Sequence, residues 1–188
     1  MYSTHDVLRD LTAVDHALYL AVAGTETPAL DRGLRLISAA ADHSKISLTL
    51  AGLMTLRRGR ARRAALHGVA AVATASAVAN LVGKHLVRRP RPVRAAETNP
   101  ERHVPMPDSA SFPSGHTASA FAFALAVGSV LPAAAMPLGA LALAVGYSRV
   151  HTGVHYPGDV AAGAVVGIAC AAVVSAVASR WATHARNA

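Results

Sequence analysis

Three short stretches of this chain hold residue types suited to phosphate chemistry. They are Lys84 with Arg91 and Pro92; Pro113, Ser114, Gly115 and His116; and Ser148, Arg149, His155 and Asp159. Together they supply fixed cations, a small-residue turn beside a histidine, and a second histidine four residues before a carboxylate. That inventory can hold a phosphate and pass it through a histidine nucleophile. Arginine grips a phosphate with a planar fork, whereas lysine acts as a point charge. Pro90 and Pro92 force an extended path after the helix that carries Lys84, so Lys84 and Arg91 can converge. Taken alone, the run Lys84, Arg88, Arg89, Arg91 and Arg94 also reads as side chains snorkelling to lipid headgroups.

The second stretch leads directly into an apolar helix. Ser114 can cap that helix, whose free backbone N–H groups attract an anion, and Gly115 lets a phosphate oxygen approach the backbone. His116 would then sit beside the bound group as a proton donor; the plainer alternative is a capped helix start with an incidental histidine. In the third stretch, His151, His155 and Asp159 are spaced by four and would share one face of a continuous helix, as metal ligands do. Pro157 and Gly158 mark a helix start at that point instead. His155 is therefore expected just before the last helix, with Asp159 in its first turn. Asp159 can then accept from one ring nitrogen and leave the other to attack. Arg149 would add a third cation. His151 is expected to make a structural polar contact, and His5, His16, His43, His67, His85, His103 and His184 show no partner pattern.

The elements that position these residues are membrane helices. Of 188 residues, 53% are hydrophobic and only 15% charged, and the mean hydropathy is +0.35. No Asp, Glu, Lys or Arg occurs from Thr117 to Tyr147 or from Val160 to Ser179, and Ala64 to Gly83 carries only His67 among its titratable groups. A span needs about 20 apolar residues. The first of these stretches is too long for one helix and contains Pro132 and Pro137, so it predicts a hairpin turning near 131–137 with two somewhat short arms. Ser44 to Leu56 predicts a further span reaching back towards Ile37, while Leu11 to Gly24 either spans or lies flat as an amphipathic helix. The expectation is an all-α polytopic membrane bundle of about six transmembrane helices, forming a single domain over 1–188. The first ten residues include Asp6 and Asp10 and no apolar core, so insertion by the chain's own helices is expected.

The charge is +8 and the pI about 10.8, but its distribution argues against nucleic acid. Arg57, Arg58, Arg60, Arg62 and Arg63 crowd one short loop between spans, Arg180 and Arg186 follow the last span, and no aromatic residues interleave with them. The positive-inside rule puts that loop in the cytoplasm. Counting spans from there, all three motif stretches emerge together on the extracytoplasmic side. The loop 93–112, with Glu97, Glu101 and Asp108, is the only sizeable polar loop. Cys170 is the sole cysteine and reads as a small packing residue. Gly163 and Gly167 form a small-residue pair for close helix packing, internal or between protomers. Ala- and Arg-rich usage suggests a GC-rich bacterial genome, which favours an envelope-lipid carrier among the lipid monophosphates and diphosphates that an outward-facing membrane site suits.

The three stretches, in this order and spacing, resemble the three-part signature shared by type-2 phosphatidic acid phosphatases, bacterial undecaprenyl-diphosphate phosphatases, glucose-6-phosphatase and vanadium haloperoxidases. The resemblance covers 84–159, and the short hydrophobic chain is similar to the membrane lipid phosphatases of that group. It implies His155 as nucleophile through a phosphohistidine, Asp159 as its orienter, and His116 as the acid and then the base. It further implies that Lys84, Arg91, Arg149, the Ser114 hydroxyl and the Gly115 amide hold the phosphate oxygens. Three fixed cations suffice to neutralise a transferring phosphoryl group, so no metal and no cofactor are expected. The expected partners are a lipid phosphate and the membrane. Two other classes compete: a metalloenzyme using His151, His155 and Asp159, with His116 as a further candidate ligand, and a non-catalytic phosphate-lipid binding or transport protein.

Overall fold

The structure, a computed structural model, describes residues 3–94 and 99–187; the side chains of 182 and 185–187 fall outside that description, as does Glu97 of the polar loop. Among the described residues the regular structure is helical. The helices are α1 (Thr4–Gly24), α2 (Pro28–Ala40), α3 (Lys45–Thr55), α4 (Arg60–Leu86), α5 (Gly115–Val130), α6 (Pro132–His151) and α7 (Pro157–Asn187). Three of them, α4, α6 and α7, are long and apolar enough to cross a membrane, and α5 is a shorter apolar helix. Its 16 residues span roughly 24 Å at the α-helical rise, short of the bilayer core.

Helix α5 is apolar all round and occupies the centre, packed on α4, α6 and α7. Small residues let the backbones approach. Ala71, Ala75 and Ala79 of α4 meet Ala118, Ala122 and Ala126 of α5, with Cys170 and Ala171 of α7 completing the cluster. Gly163 and Gly167 serve the same contact. A Cβ on Gly163 would run into the Ser114 carbonyl, and one on Gly167 into that of Ala118. The pair therefore packs α7 on α5 within the chain. Cys170 is buried, as expected for a packing residue.

Two expectations need correction. The span predicted from Ile37 through Leu56 is broken: α2 ends at Ala40, and a single turn at Asp42–Ser44 separates it from α3, with His43 and Ser44 at positive φ (54° and 58°). The polar run Asp42, His43, Ser44 and Lys45 was the available signal for this break, which delivers Asp42, His43 and Ser44 to the site. The hairpin turn is also tighter than expected. It is confined to Leu131, with Pro132 opening α6 and Pro137 inside it, so α6 keeps 20 residues and only α5 is a short arm.

Helices α1 and α2 lie across one end of the bundle. Asp15, midway along α1, accepts from the Gly158 amide at the start of α7 (2.7 Å). The carbonyls of Val22, Ala23 and Thr25 at the other end of α1 accept from Arg102, which also contacts His151 at the end of α6. Along α2, Asp31 meets His151 (3.0 Å) and Ser38 meets Arg149 (2.7 Å). All these partners belong to the same end, so α1 and α2 cap the bundle there. Of the two fates open to Leu11–Gly24, these contacts match the flat-lying helix.

Candidate active site

The capped end holds a half-open cavity of about 390 Å³, whose lining includes Asp42, Asn80, Lys84, Arg91, Gly115, His116, Arg149 and His155. Six of the eight residues singled out from the sequence thus line one space. Ser114 and Asp159 are fully buried behind it. The long helix α4 delivers Lys84 after a π-helical segment at Val78–Gly83, which also turns Asn80 to the cavity. Lys84 Nζ donates to Ser109 Oγ (3.0 Å). Arg91 leaves the extended strand-like exit and donates Nε to the Ser109 carbonyl (2.8 Å) and Nη1 to the Val154 carbonyl (2.7 Å). The loop 99–112 thereby pins both cations.

Ser114 forms the N-cap of α5, its Oγ accepting from the Thr117 amide (3.4 Å) and the Thr117 hydroxyl (2.9 Å). The hydroxyl expected on the phosphate is therefore set back from the cavity, and Gly115 is the part of this turn that lines it. Arg149, 1% exposed, donates Nη1 to the Ser38 carbonyl and hydroxyl. Its Nε is buried without a hydrogen-bond partner. An unsatisfied guanidinium N–H on a cavity wall is costly unless an anion completes it.

His155 is buried in the loop between α6 and α7. Arg91 Nη1 lies 3.3 Å from His155 Nε2. A guanidinium has no acceptor, so Nε2 presents its lone pair and Nδ1 carries the proton. That proton faces Ser111 Oγ (3.4 Å) and Asp159 Oδ2 (3.5 Å). Asp159 is held on all sides: Ser111 Oγ and the Tyr156 amide donate to Oδ2, and Arg89 Nη1 donates to Oδ1 (3.0 Å). Burial, more than any other influence, pushes the His155 ring down to about 4; Asp159 opposes this, while Arg91 and Arg149 add to it. Burial likewise lowers Arg91, opposed by Asp159. His155 is thus a neutral ring with Nε2 directed at Arg91.

His116, in the first turn of α5, has Nε2 2.8 Å from Asp42 Oδ1. His151 makes its contacts with Asp31 and Arg102, the structural role expected of it, and does not join His155. Among the described residues, no group of three His, Cys, Asp or Glu is arranged to hold a metal. The sequence reading missed Asp42, Ser111 and Arg89. Arg89 was absorbed into a basic run that reads as headgroup snorkelling, yet it bridges Asp159 and Asp15 (2.7 Å) and lies 4.1 Å over the Tyr156 ring. The lone carboxylate Asp15 in an apolar stretch was the available signal for it.

Comparison with known proteins gives this arrangement its place. The PAP2 superfamily model matches residues 64–182. A decaprenylphosphoryl-5-phosphoribose phosphatase of Mycobacterium tuberculosis is 40% identical over 134 residues, 69% of this chain and 70% of that one. The enzyme of the same name from Mycolicibacterium smegmatis is 36% identical over 84% of this chain and 83% of its own. Among solved structures, Aquifex aeolicus LpxE has a TM-score of 0.70 at 24% identity, covering 86% of this chain and 94% of that one. A transmembrane PAP2-type phosphatidylglycerolphosphate phosphatase from Bacillus subtilis scores 0.72 at 23%, covering 91% and 87%. These two share the fold. With the family model spanning the bundle and the capped cavity at its end, the chain belongs to the PAP2 superfamily and is an integral membrane phosphatase.

Proposed function

We propose that this protein is a metal-independent lipid phosphatase of the bacterial plasma membrane, one domain over 1–188, with its site on the extracytoplasmic side. It hydrolyses a lipid phosphomonoester or diphosphate through a phosphohistidine. The names of the relatives at 36–40% identity favour a polyprenyl-phosphoryl-sugar phosphate within that class. The observation that carries the reading is the His155–Asp159 pair. A neutral, buried imidazole has its proton turned to a carboxylate and its lone pair beside Arg91, on the wall of a cavity with Lys84 and Arg149.

In this mechanism Lys84, Arg91 and Arg149 neutralise the phosphate oxygens, and the Gly115 amide, presented by the Ser114-capped turn, takes another. His155 Nε2 attacks phosphorus while Asp159 stabilises the imidazolium. The ester P–O bond breaks as His116 gives a proton to the leaving oxygen. Neutral His116 then takes a proton from water, the resulting hydroxide bonds to phosphorus, and the P–N bond breaks to release inorganic phosphate and free His155. Loose phosphoryl-transfer transition states are served chiefly by such positioning and charge.

The test is phosphate release by purified protein in detergent with excess EDTA, across lipid monophosphates, lipid diphosphates and a polyprenyl-phosphoryl-sugar phosphate, with His155→Ala alongside. Release that persists in EDTA and vanishes in the variant is expected. Loss on chelation would restore a metal site, and binding without release from any member would favour a lipid-binding protein.

A further inference from the structure

We infer that Asp42 is the positioning residue for the proton-transferring His116, so that the site holds two histidine–carboxylate pairs, one for attack and one for departure. The inference rests on the proposed role of His116 as acid and then base. Asp42 stands outside the three motif stretches, in the turn that breaks α2 from α3. Its Oδ1 lies 2.8 Å from His116 Nε2 and 3.6 Å from Arg149 Nη1, and it lines the same cavity as His155.

The need for such a group follows from the charges around it. Lys84, Arg91 and Arg149 line the cavity with His116. Like charges and burial both disfavour an imidazolium, yet an acid for a lipid or sugar alkoxide must carry its proton at the moment of attack. Asp42 is the carboxylate within hydrogen-bond distance of this ring, as Asp159 is the one beside His155. It stabilises the protonated ring and fixes its orientation, leaving Nδ1 to carry the proton to the leaving oxygen. The conformation of the turn supports a built feature. His43 and Ser44 adopt left-handed φ (54° and 58°), a strained arrangement for side-chain-bearing residues, and it is this turn that lays Asp42 against the start of α5.

Aryl phosphates with acidic phenols depart without a proton, whereas alkyl phosphates need one. The test compares kcat/KM on a lipid alkyl phosphate and on p-nitrophenyl phosphate for wild type, Asp42→Asn, Asp42→Glu and His116→Ala. General acid catalysis is worth about 10²-fold or more. Asp42→Asn is therefore expected to lose about 10²-fold on the alkyl ester and much less on the aryl ester, with Asp42→Glu recovering part of the loss. The contact with Arg149 affects phosphate affinity for both substrates alike, so the ratio between them reports the acid. If His116→Ala shows the ratio change and Asp42→Asn depresses both substrates equally, the inference about Asp42 fails while the mechanism stands. If His116→Ala itself shows no leaving-group dependence, the assignment of His116 fails first, and with it the premise for Asp42.

Discussion

His155 shows how much of the chemistry resides in one side chain's surroundings. An exposed imidazole is half protonated near pH 6.5, and a protonated nucleophile cannot attack. Here burial holds the ring at about 4, with Arg91 and Arg149 adding to the effect against Asp159. The sign for stability follows from proton counting. Between the folded value of about 4 and the unfolded value of 6.5, the unfolded chain binds the proton and the folded chain does not. Stability owed to this residue is therefore full above about pH 6.5 and declines as pH falls towards 4. NMR of histidine-labelled protein, with the signal assigned by its loss in His155→Gln, should give a midpoint near 4. A midpoint near 6.5 would mean an open, solvated ring and would undermine the neutral-nucleophile reading. The pairing of His155 with Asp159 was legible because both lie in one short segment where Pro157 fixes the helix start. Asp42 was not, because its partner His116 is 74 residues away and nothing local marks a carboxylate that acts across that distance.

At the scale of elements, the long apolar helices were legible from charge-free runs, since a membrane span must satisfy its backbone internally and exclude charge. The ends of elements were less so. The α2–α3 break falls on the polar run Asp42, His43, Ser44 and Lys45, but its geometry is tertiary: Ser38 is held by Arg149 and Asp42 by His116, on two different helices. Helix α1 illustrates the same point. Its uncertain status in the sequence reflected Asp15 and His16 in an apolar run, and Asp15 proves to be the anchor that ties α1 to Arg89 and Gly158. Arg89 in turn holds Asp159, which is fully buried. Replacing Arg89 with Gln would leave that carboxylate without its cation, and breaking a buried pair from one side costs about 3 kcal/mol or more. Arg89→Gln is therefore expected to lower the unfolding midpoint in detergent and to reduce kcat with little change in KM, because in the proposed mechanism Arg89 holds the carboxylate that orients His155 and not the phosphate. An increase in KM with kcat preserved would instead place Arg89 on the substrate.

The charges of the molecule are unevenly shared between the two ends of the bundle, and this bears on which way it sits. Every Asp and Glu of the sequence lies within 6–42, within 97–108 or at 159. Among the described residues, the end of the bundle away from the cavity therefore carries no acid. Arg57 and Arg58, between α3 and α4, and Arg60, Arg62 and Arg63, in the first turn of α4, are exposed there, and Arg180 lies towards the far end of α7. The cavity end is also rich in arginine, but there several arginines have carboxylate partners: Arg89 has Asp15 and Asp159, Arg102 has Asp31, and Arg149 has Asp42. Uncompensated charge in a short loop is what the positive-inside rule weighs, and by that rule the arginine-rich end is expected in the cytoplasm. Single cysteines introduced as Arg58→Cys and Asp108→Cys, each in a Cys170→Ser background, test this with a membrane-impermeant maleimide on intact cells. Asp108→Cys, on the loop beside the cavity, should label at once, and Arg58→Cys only after permeabilisation. The reverse pattern would turn the cavity to the cytoplasm. The substrate would then have to be a lipid phosphate presented on the inner leaflet, and the arginine asymmetry would no longer account for how this chain is inserted.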